Sequence, residues 1–233
     1  MKSKIKTIAF DGDDTLWHNE TYFQQAELAF CDLLADYMDQ SEVSKILLSI
    51  EVKNLPLYGY GVKGFVLCMI EAANKISNFS VSGESIGRIV EIGQDLLNKP
   101  TMLLDGVQES LDQLQPNYRL VLATKGDLLD QQSKLKKSGL GAYFDHVEIM
   151  SNKRVDDYQK LLKQLNCQPE SFLMVGNSLR SDIQPVLALG SSTVYIPYHI
   201  TWAHEEQGVS DHFFDELKSF KISEVIEILP FLI

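Results

Sequence analysis

The sequence predicts an α/β protein in which a doubly wound, Rossmann-like parallel sheet carries an inserted all-helical domain. From about residue 105 onward, short apolar runs alternate with helix-period patterns, as in a sheet covered by helices. The first apolar run lies more than 100 residues before the second, although a crossover between parallel strands needs only a few tens. Helix-period patterns fill that gap, which indicates an insertion.

Five apolar runs are predicted to be strands. They show little alternation of apolar and polar residues, which is typical of strands buried on both faces. These runs span residues 5–10, 119–123, 146–150, 172–175 and 193–196. A parallel sheet with helices on both faces would bury them in this way.

Two helix faces are predicted between the strands, one with Val107, Leu111 and Leu114 before the second strand and the other with Tyr158, Leu161, Leu162 and Leu165 before the fourth. Asp105 and Gln108 resemble a capping box at the start of the first helix. Gly190 is predicted to end the helix that follows Asp182.

Helices also dominate the inserted segment, where apolar residues recur at spacings of three and four. The apolar positions are Phe23, Ala26, Phe30, Leu33 and Tyr37, then Val43, Ile46, Leu47 and Ile50, and later Ile86, Ile89, Val90, Gly93 and Leu97. We therefore predict a sheet core of residues 1–16 and 103–233 and a helical domain of residues 17–102. The helical domain is expected over the carboxyl end of the first strand.

Composition and charge exclude several classes of protein. The chain has 233 residues, 45% of them hydrophobic and 23% charged, as in an ordinary globular protein. The net charge of −11 argues against nucleic acid or anionic lipid as a partner. The three cysteines suggest reduced thiols, and neither a signal peptide nor a membrane span is recognisable, so a cytoplasmic location is expected.

Three carboxyl groups, those of Asp11, Asp13 and Asp14, lie within four positions directly after the first predicted strand. Like charges this close raise one pKa or bind a cation, and Mg²⁺ bound through carboxylates and a carbonyl is a common solution. Ligands also bind at the carboxyl ends of strands in α/β sheets. A solvated Asp-Gly turn is the alternative explanation.

The other predicted strands deliver polar groups to the same edge. Thr124 ends the second strand, Lys153 follows the third, and a segment from Gly176 to Asp182 follows the fourth. Phosphoryl transfer through an aspartyl intermediate requires a carboxylate nucleophile, an acid/base, phosphate donors and a metal. The strand ends together supply these protein groups.

With these motifs the sequence resembles the haloacid dehalogenase-like hydrolases, in particular their phosphatase branch. The first motif of that family, Asp-x-Asp-x-Thr, is matched by Asp11, Asp13 and Thr15. The second is matched by Thr124 and the third by Lys153, and the fourth is similar to the segment from Gly176 to Asp182. The resemblance covers the whole chain, because the family also inserts a helical cap between its first and second motifs.

The resemblance implies a role for each matched residue. Asp11 would be the nucleophile, and Asp13 would be the general acid and then the base. Thr124 and Lys153 would bind the phosphoryl oxygens. Mg²⁺ would be held by Asp11 and the backbone carbonyl of Asp13, together with Asn177 or Asp182. Asn177 is a departure, since the family usually has Asp there, and an altered metal affinity is expected.

Several residues beside the motifs are left without a firm role. Lys125 and Arg180 are either phosphate ligands or solvated cations, and Asp14 is expected to be a solvated or capping residue. Trp202, His204 and Glu205 follow the fifth strand and either line the site or pack elsewhere.

A Gly-x-Gly-x-x-Gly pattern spans Gly59 to Gly64, but it lacks the preceding strand that a dinucleotide site needs. Residues 54–58 before it are predicted to form a turn between helices. The pattern itself is expected to be a flexible cap loop, from which Tyr58, Tyr60 and Lys63 would reach substrate.

The predicted function is Mg²⁺-dependent hydrolysis of a small phosphorylated metabolite. A phosphomutase on the same core and a degenerate, non-catalytic ligand-binding member are the alternatives. A receiver-like signalling domain is disfavoured, because the paired aspartates follow the first strand and the chain carries a cap. The sequence does not indicate the substrate or the oligomeric state.

Overall fold

The computed structural model describes residues 5–206 and 219–228. Five parallel strands form one sheet in the order β3-β2-β1-β4-β5. The strands are β1 (Thr7–Phe10), β2 (Arg119–Lys125), β3 (His146–Met150), β4 (Phe172–Gly176) and β5 (Ser192–Tyr195). The predicted fold class, a doubly wound parallel sheet with an inserted helical domain, is confirmed.

The strand ends differ slightly from the predicted ones. β2 continues two residues further than predicted, because Thr124 and Lys125 still pair with Ile149 and Met150 of β3. Polar residues at the end of a strand can still make the backbone hydrogen bonds of the sheet, although they interrupt the apolar run from which the strand was predicted. The side chain of Thr124 is thus fixed by the strand itself.

The inserted segment forms a helical unit of residues Asn19–Pro100 together with Gly126–Asp130. Its helices are α1 (Glu20–Leu33), α2 (Gln40–Tyr58), α3 (Val62–Ile76) and α4 (Gly83–Asn98). They share an apolar core that includes the buried side chains of Phe30, Leu47, Met69 and Ile89. This core contains most of the apolar positions predicted for the insert, but Val90 is exposed, and Tyr37 is exposed and lies beyond the end of α1.

Two local predictions in the helical unit are wrong. Residues 54–58 do not form a turn, because α2 continues through Pro56 to Tyr58. Proline cannot donate a helical N–H bond and its ring crowds the preceding turn, yet α2 continues for only two residues beyond Pro56. Gly59, with φ of 69°, then ends α2, and only Gly59 to Gly61 form the connection, since Val62 already begins α3.

The sheet unit contains the remaining described residues: those up to His18, Thr101–Lys125 and those from Gln131 onward. Its longer helices are α5 (Val107–Leu114), α6 (Leu128–Ser138) and α7 (Val155–Leu165), where α6 starts inside the helical unit. Shorter turns of helix lie at Leu140–Tyr143, Pro169–Ser171, Leu179–Ile183, Gln184–Leu187, Ala203–Glu206, Ile222–Glu224 and Val225–Ile228.

Each face of the sheet has its own apolar layer. Phe10 points into the layer that contains Leu111 of α5, whereas its neighbour Ala9 points into the layer of Tyr158 and Leu161 on α7. Alternating residues of a strand face opposite sides, so both helix faces predicted from the sequence are used.

Of the two helix ends predicted in the sheet unit, one is wrong and one is confirmed. The residue before α5 is Gly106, with φ of 81° and no side-chain cap, so Asp105 does not form a capping box. The prediction that Gly190 ends the helix after Asp182 is confirmed: beyond Leu187, the N–H of Gly190, with φ of 78°, donates to the carbonyl of Leu187 at 2.9 Å, and the N–H of Ser191 donates to the carbonyl of Val186 at 3.3 Å, the bonds of a glycine helix stop. Glycine adopts this left-handed backbone without steric cost, which decides both turns.

Candidate active site

A tight loop after β1 places carboxyl groups at the carboxyl edge of the sheet. The N–H of Asp11 donates to the carbonyl of Val175 at 2.9 Å, so Asp11 continues the pairing of β1 with β4. The carbonyl of Gly12 then accepts from the N–H of Leu16 at 2.8 Å and turns the chain. A Cβ at position 12 would lie 2.7 Å from the ring of Trp17, which explains the glycine.

Asp14 of this loop is buried, with 6% of its surface exposed, so the expectation that it is solvated is wrong. Its φ of 61° places it in the left-handed region, which aspartate enters more readily than most residues. The turn thus directs the side chain of Asp14 inward.

Lys153 joins two buried carboxylates that come from different strand ends. Its Nζ lies 2.5 Å from Oδ1 of Asp11 and 2.6 Å from Oδ1 of Asp182. The side chains of Lys153 and Asp182 are 1% and 0% exposed, so water screens these charges very little. The fold thus brings together three of the residues that the sequence singled out.

Burial determines the proton affinities of this group. It raises the pKa of Asp11 to about 7; Lys153 offsets part of that rise and Asp182 adds to it. Burial lowers the pKa of Lys153, but the two carboxylates outweigh it and the net pKa is raised. Lys153 is therefore charged at neutral pH, and a further positive charge near Asp11 would favour the ionised carboxylate.

Asp182 is held by two more donors. The backbone N–H of Ser178 donates to Oδ2 of Asp182 at 3.0 Å, and the hydroxyl of Tyr158, which lies 3.0 Å from the Ser181 carbonyl, also lies 3.4 Å from Oδ1 of Asp182. Burial raises the pKa of Tyr158 well above its usual value, so its hydroxyl keeps its proton. The sequence indicated Tyr158 only as part of an apolar helix face, and its contact with the site was missed.

Asn177 points one end of its amide at a group of oxygens. That end lies 3.1 Å from Oδ2 of Asp11, 3.2 Å from the backbone carbonyl of Asp13 and 3.2 Å from the hydroxyl of Thr15. With nitrogen at this end the amide donates to them. With oxygen there, it accepts from Thr15 and faces the Asp11 and Asp13 oxygens with no hydrogen between them.

This oxygen group fits a small hard cation. Neighbouring ligands of octahedral Mg²⁺, at about 2.1 Å from the metal, lie about 3 Å apart, close to the spacings around Asn177. Asp182 adds negative charge nearby, but its oxygens accept from Lys153, Tyr158 and Ser178. In the described ranges, no group of three or more His, Cys, Asp or Glu side chains is arranged for a metal. A cation at this position would therefore need the Asn177 amide and the Asp13 backbone carbonyl as ligands beside Asp11.

The carboxylate of Asp13 contacts three donors of the sheet unit, while its backbone carbonyl belongs to the oxygen group around Asn177. Trp17 Nε1 donates to Oδ1 at 2.7 Å, Gln131 Nε2 donates to Oδ2 at 2.8 Å, and Lys134 Nζ lies 3.0 Å from both oxygens. Gln131 also accepts from the hydroxyl of Thr124 at 3.3 Å. Gln131 therefore connects two of the predicted site residues.

Sequence reasoning missed Gln131 and Lys134. They lie three positions apart on α6, a spacing that puts both on one helix face, but polar residues at such positions usually face solvent. Only the burial of Gln131, which is 2% exposed, distinguishes this helix face from an ordinary solvent-exposed polar face.

Lys125 and Glu205 form a second, partly buried ion pair, beside the segment that follows β4. Ser181 accepts from Lys125 Nζ at 2.8 Å and donates to Glu205 at 2.7 Å, and Ser178 also donates to Glu205. Burial opposes ionisation of Glu205, but Lys125 and these hydrogen bonds lower its pKa to about 2. Lys125 is thus engaged inside the protein, and Glu205 is placed close to the fourth motif.

Arg180 and His204 add to this connection. The guanidinium of Arg180 donates to the backbone carbonyl of His204 at 2.8 Å, and burial lowers the pKa of the His204 imidazole. The His204 ring packs against Trp202, with 4.8 Å between ring centroids. The segment after β5 is therefore tied to the motif that contains Asn177.

Lys63, expected to reach substrate, pairs with Asp127 inside the helical unit. Its Nζ lies 3.0 Å from both carboxylate oxygens, and the pKa of Asp127 is lowered because hydrogen bonds from Lys63 and from the backbone outweigh its desolvation.

Within the described part of the chain, no helix is long and apolar enough to cross a membrane.

Comparison with known proteins agrees with this fold and these motifs. The family model "haloacid dehalogenase-like hydrolase" matches residues 5–190. A crystal structure of a haloacid dehalogenase-like family hydrolase from Xanthomonas campestris is 36% identical, with a TM-score of 0.88 over 99% of this chain and 93% of that one. The chain therefore belongs to the haloacid dehalogenase-like hydrolases, and the predicted membership of the phosphatase branch is confirmed.

Several curated relatives are named as phosphatases. The glyceraldehyde 3-phosphate phosphatase of Methanothermobacter thermautotrophicus is 24% identical over 97% of this chain and 100% of its own length. The mouse N-acylneuraminate-9-phosphatase is 32% identical, but the match covers 41% of each chain. A pyrimidine 5'-nucleotidase of Streptococcus pneumoniae is 35% identical over 42% of this chain and 44% of its own. The prediction that this chain is a hydrolase of phosphatase type is confirmed.

Proposed function

We propose that this enzyme is a Mg²⁺-dependent phosphomonoester hydrolase that works through an aspartyl-phosphate on Asp11. The observation that carries the proposal is the position of Asp11. One of its carboxylate oxygens lies 2.5 Å from the Lys153 ammonium, and the other faces the oxygen group around Asn177. With Mg²⁺ bound at that group, the Asp11 carboxylate would lie between two positive charges, stay ionised and be able to receive a dianionic phosphoryl group.

The proposed reaction has two displacement steps at phosphorus. In the first, an Asp11 oxygen forms a bond to phosphorus, the bond to the leaving oxygen breaks, and Asp13 gives that oxygen a proton. In the second, Asp13 takes a proton from water, whose oxygen bonds to phosphorus while the bond to Asp11 breaks. Thr124 and Lys153 bind the phosphoryl oxygens and neutralise part of their charge.

The proposed metal ligands are Asp11, the carbonyl of Asp13 and the amide oxygen of Asn177, with Asp182 adding charge nearby. When bound there, Mg²⁺ would supply positive charge that neutralises part of the negative charge of the phosphoryl oxygens. Asn177 in place of the usual acidic residue removes one negative charge. We therefore expect weaker Mg²⁺ binding than with Asp at this position, and Asn177→Asp to strengthen it.

The proposed substrate is a small phosphorylated metabolite. The names of the relatives refer to glyceraldehyde 3-phosphate, an N-acylneuraminate 9-phosphate and pyrimidine nucleotides, and all of these are small phosphate esters. We further propose that the helical domain, predicted as residues 17–102, is the cap that selects among such esters. Its separate apolar core supports its assignment as an independent domain.

Removal of the metal is the direct test of the proposed activity. We expect hydrolysis of p-nitrophenyl phosphate with Mg²⁺, a loss of at least about 100-fold in EDTA, and recovery when excess Mg²⁺ is restored. Release of p-nitrophenolate in a continuous assay measures each state. Full activity after EDTA treatment would contradict the metal requirement.

The position of Asp182 can be tested through its glycine neighbour. We expect Gly176→Ala to lower kcat by about tenfold or more, because a Cβ there would lie 2.4 Å from Cγ of Asp182 and displace it from Lys153. Gly141→Ala is the matched control, since a Cβ at that position meets no atom within 4 Å. Equal activity of the two variants would show that the placement of Asp182 does not matter.

A further inference from the structure

The donors around Asp13 form a clamp made of the side chains of Trp17, Gln131 and Lys134. Their contacts to the carboxylate are 2.7 Å, 2.8 Å and 3.0 Å. An aspartate carboxylate has about four acceptor sites, and these donors occupy most of them. The carboxyl group of Asp13 is thus fixed in direction, although its side chain has two rotatable bonds.

We propose that Lys134 is a positioning residue that holds the carboxyl group of Asp13 for proton transfer to the leaving group. The inference rests on the proposed function, because it assigns a task within the first displacement step. Lys134 itself is not a catalytic residue here, since it acts only through Asp13.

The geometry of Lys134 suits this task better than that of the other two donors. Trp17 and Gln131 each contact one oxygen of Asp13, whereas Lys134 lies 3.0 Å from both. When one oxygen carries the proton that will be transferred, Lys134 still donates to the other oxygen. The orientation of the carboxyl group is therefore kept in both forms.

Partial burial makes the contact more than a surface ion pair. The side chains of Lys134 and Asp13 are 16% and 22% exposed, so solvent competes only weakly. Gln131 is fully buried and also contacts Thr124, which links the clamp to a residue proposed to bind the phosphoryl group. A shift of the clamp would therefore displace the acid relative to the phosphoryl group.

Leaving-group dependence separates this role from a purely structural one. Phenyl phosphate and p-nitrophenyl phosphate are similar in size, but phenoxide is the more basic leaving group and depends more on proton donation. For each ester, kcat/KM reports the steps up to release of the phenol. A misplaced acid therefore slows phenyl phosphate more than p-nitrophenyl phosphate, whereas a loss of folded enzyme slows both equally.

We expect Lys134→Met to increase the ratio of kcat/KM for p-nitrophenyl phosphate to that for phenyl phosphate by about tenfold. Lys134→Arg, which retains several donors, should restore most of the wild-type ratio. Lys136→Met is the matched control on the same helix, because Lys136 is exposed, and it should leave the ratio unchanged. Lys134→Gln, which can donate to one oxygen at a time, should give an intermediate ratio and serves if Lys134→Met does not fold.

An unchanged ratio in both Lys134→Met and Lys134→Gln would overturn the inference, whether their activity falls or not. Hydrolysis of neither ester by the wild-type enzyme would instead refute the proposed function, and this inference with it. The two failures are therefore distinguishable.

Discussion

Asp11→Asn is expected to lower kcat for p-nitrophenyl phosphate by at least about 1,000-fold. The amide has nearly the shape of the carboxylate, but it is a poor nucleophile and carries no charge to pair with Lys153. Because burial raises the pKa of Asp11 to about 7, its ionised form costs stability at neutral pH. The substitution should therefore remove activity without unfolding the protein. A thermal unfolding experiment that compares the Tm of the variant with that of the wild type checks the second point.

Asp14→Asn provides the matched control for this variant. Asp14 lies in the same loop and is also buried, and asparagine tolerates the left-handed backbone at φ of 61°. We expect this variant to keep most of the wild-type activity. Substantial activity in Asp11→Asn, or an equal loss in both variants, would refute the role of Asp11 as nucleophile.

Lys153→Met is expected to cause the largest loss of stability. It removes the ammonium that lies 2.5 Å and 2.6 Å from two carboxylates and leaves these charges buried without it. Breaking a buried pair in this way costs about 3–5 kcal/mol, which lowers Tm by about 10 °C for a chain of this size. Activity should fall by at least about 100-fold, because the phosphoryl group also loses a binding charge.

The stability deficit of Lys153→Met should grow with pH. The folded-state pKa of Asp11 is raised above 3.8, so the protonated form favours folding, and that contribution is lost as pH rises through the folded pKa. Lys153 lowers this pKa, and its removal raises it further. Unfolding in EDTA should therefore show a larger difference from wild type at pH 8 than at pH 6.

Lys160→Met is the matched control, because its side chain on α7 is 74% exposed and pairs only at the surface. We expect little change in Tm and none in its pH dependence. A Lys153→Met protein as stable as this control at pH 8 would contradict the account of the buried charges.

Much of the site could be predicted because parallel strands end at one edge of a sheet. Asp11, Lys153 and Asp182 follow β1, β3 and β4, Thr124 lies near the end of β2, and polar residues at the ends of apolar runs are conspicuous in a sequence. The contact of Lys153 with both carboxylates agrees with that expectation. The insertion could be predicted from the long gap after the first strand together with its helical spacing.

The parts that escaped prediction depend on contacts between residues distant in sequence. Lys134 and Gln131 look like the polar face of a helix until α6 packs beside the loop that contains Asp13. Glu205 pairs with Lys125, 80 positions away in the chain, and no local pattern reports that contact. The burial of Asp14 could not be predicted, because it depends on a left-handed backbone turn, and an acidic segment contains no residue pattern that indicates such a turn.

The most direct test of the central claim is to detect the phosphoryl group on Asp11. Asp13→Asn should still release p-nitrophenolate, a good leaving group, but lacks the base for the second step. Rapid mixing of this variant with p-nitrophenyl phosphate and Mg²⁺ should give a burst of about one p-nitrophenolate per chain. Mass spectrometry after acid quench should then find a phosphoryl group on Asp11. A burst without that modification, or a phosphoryl group on another residue, would contradict the account.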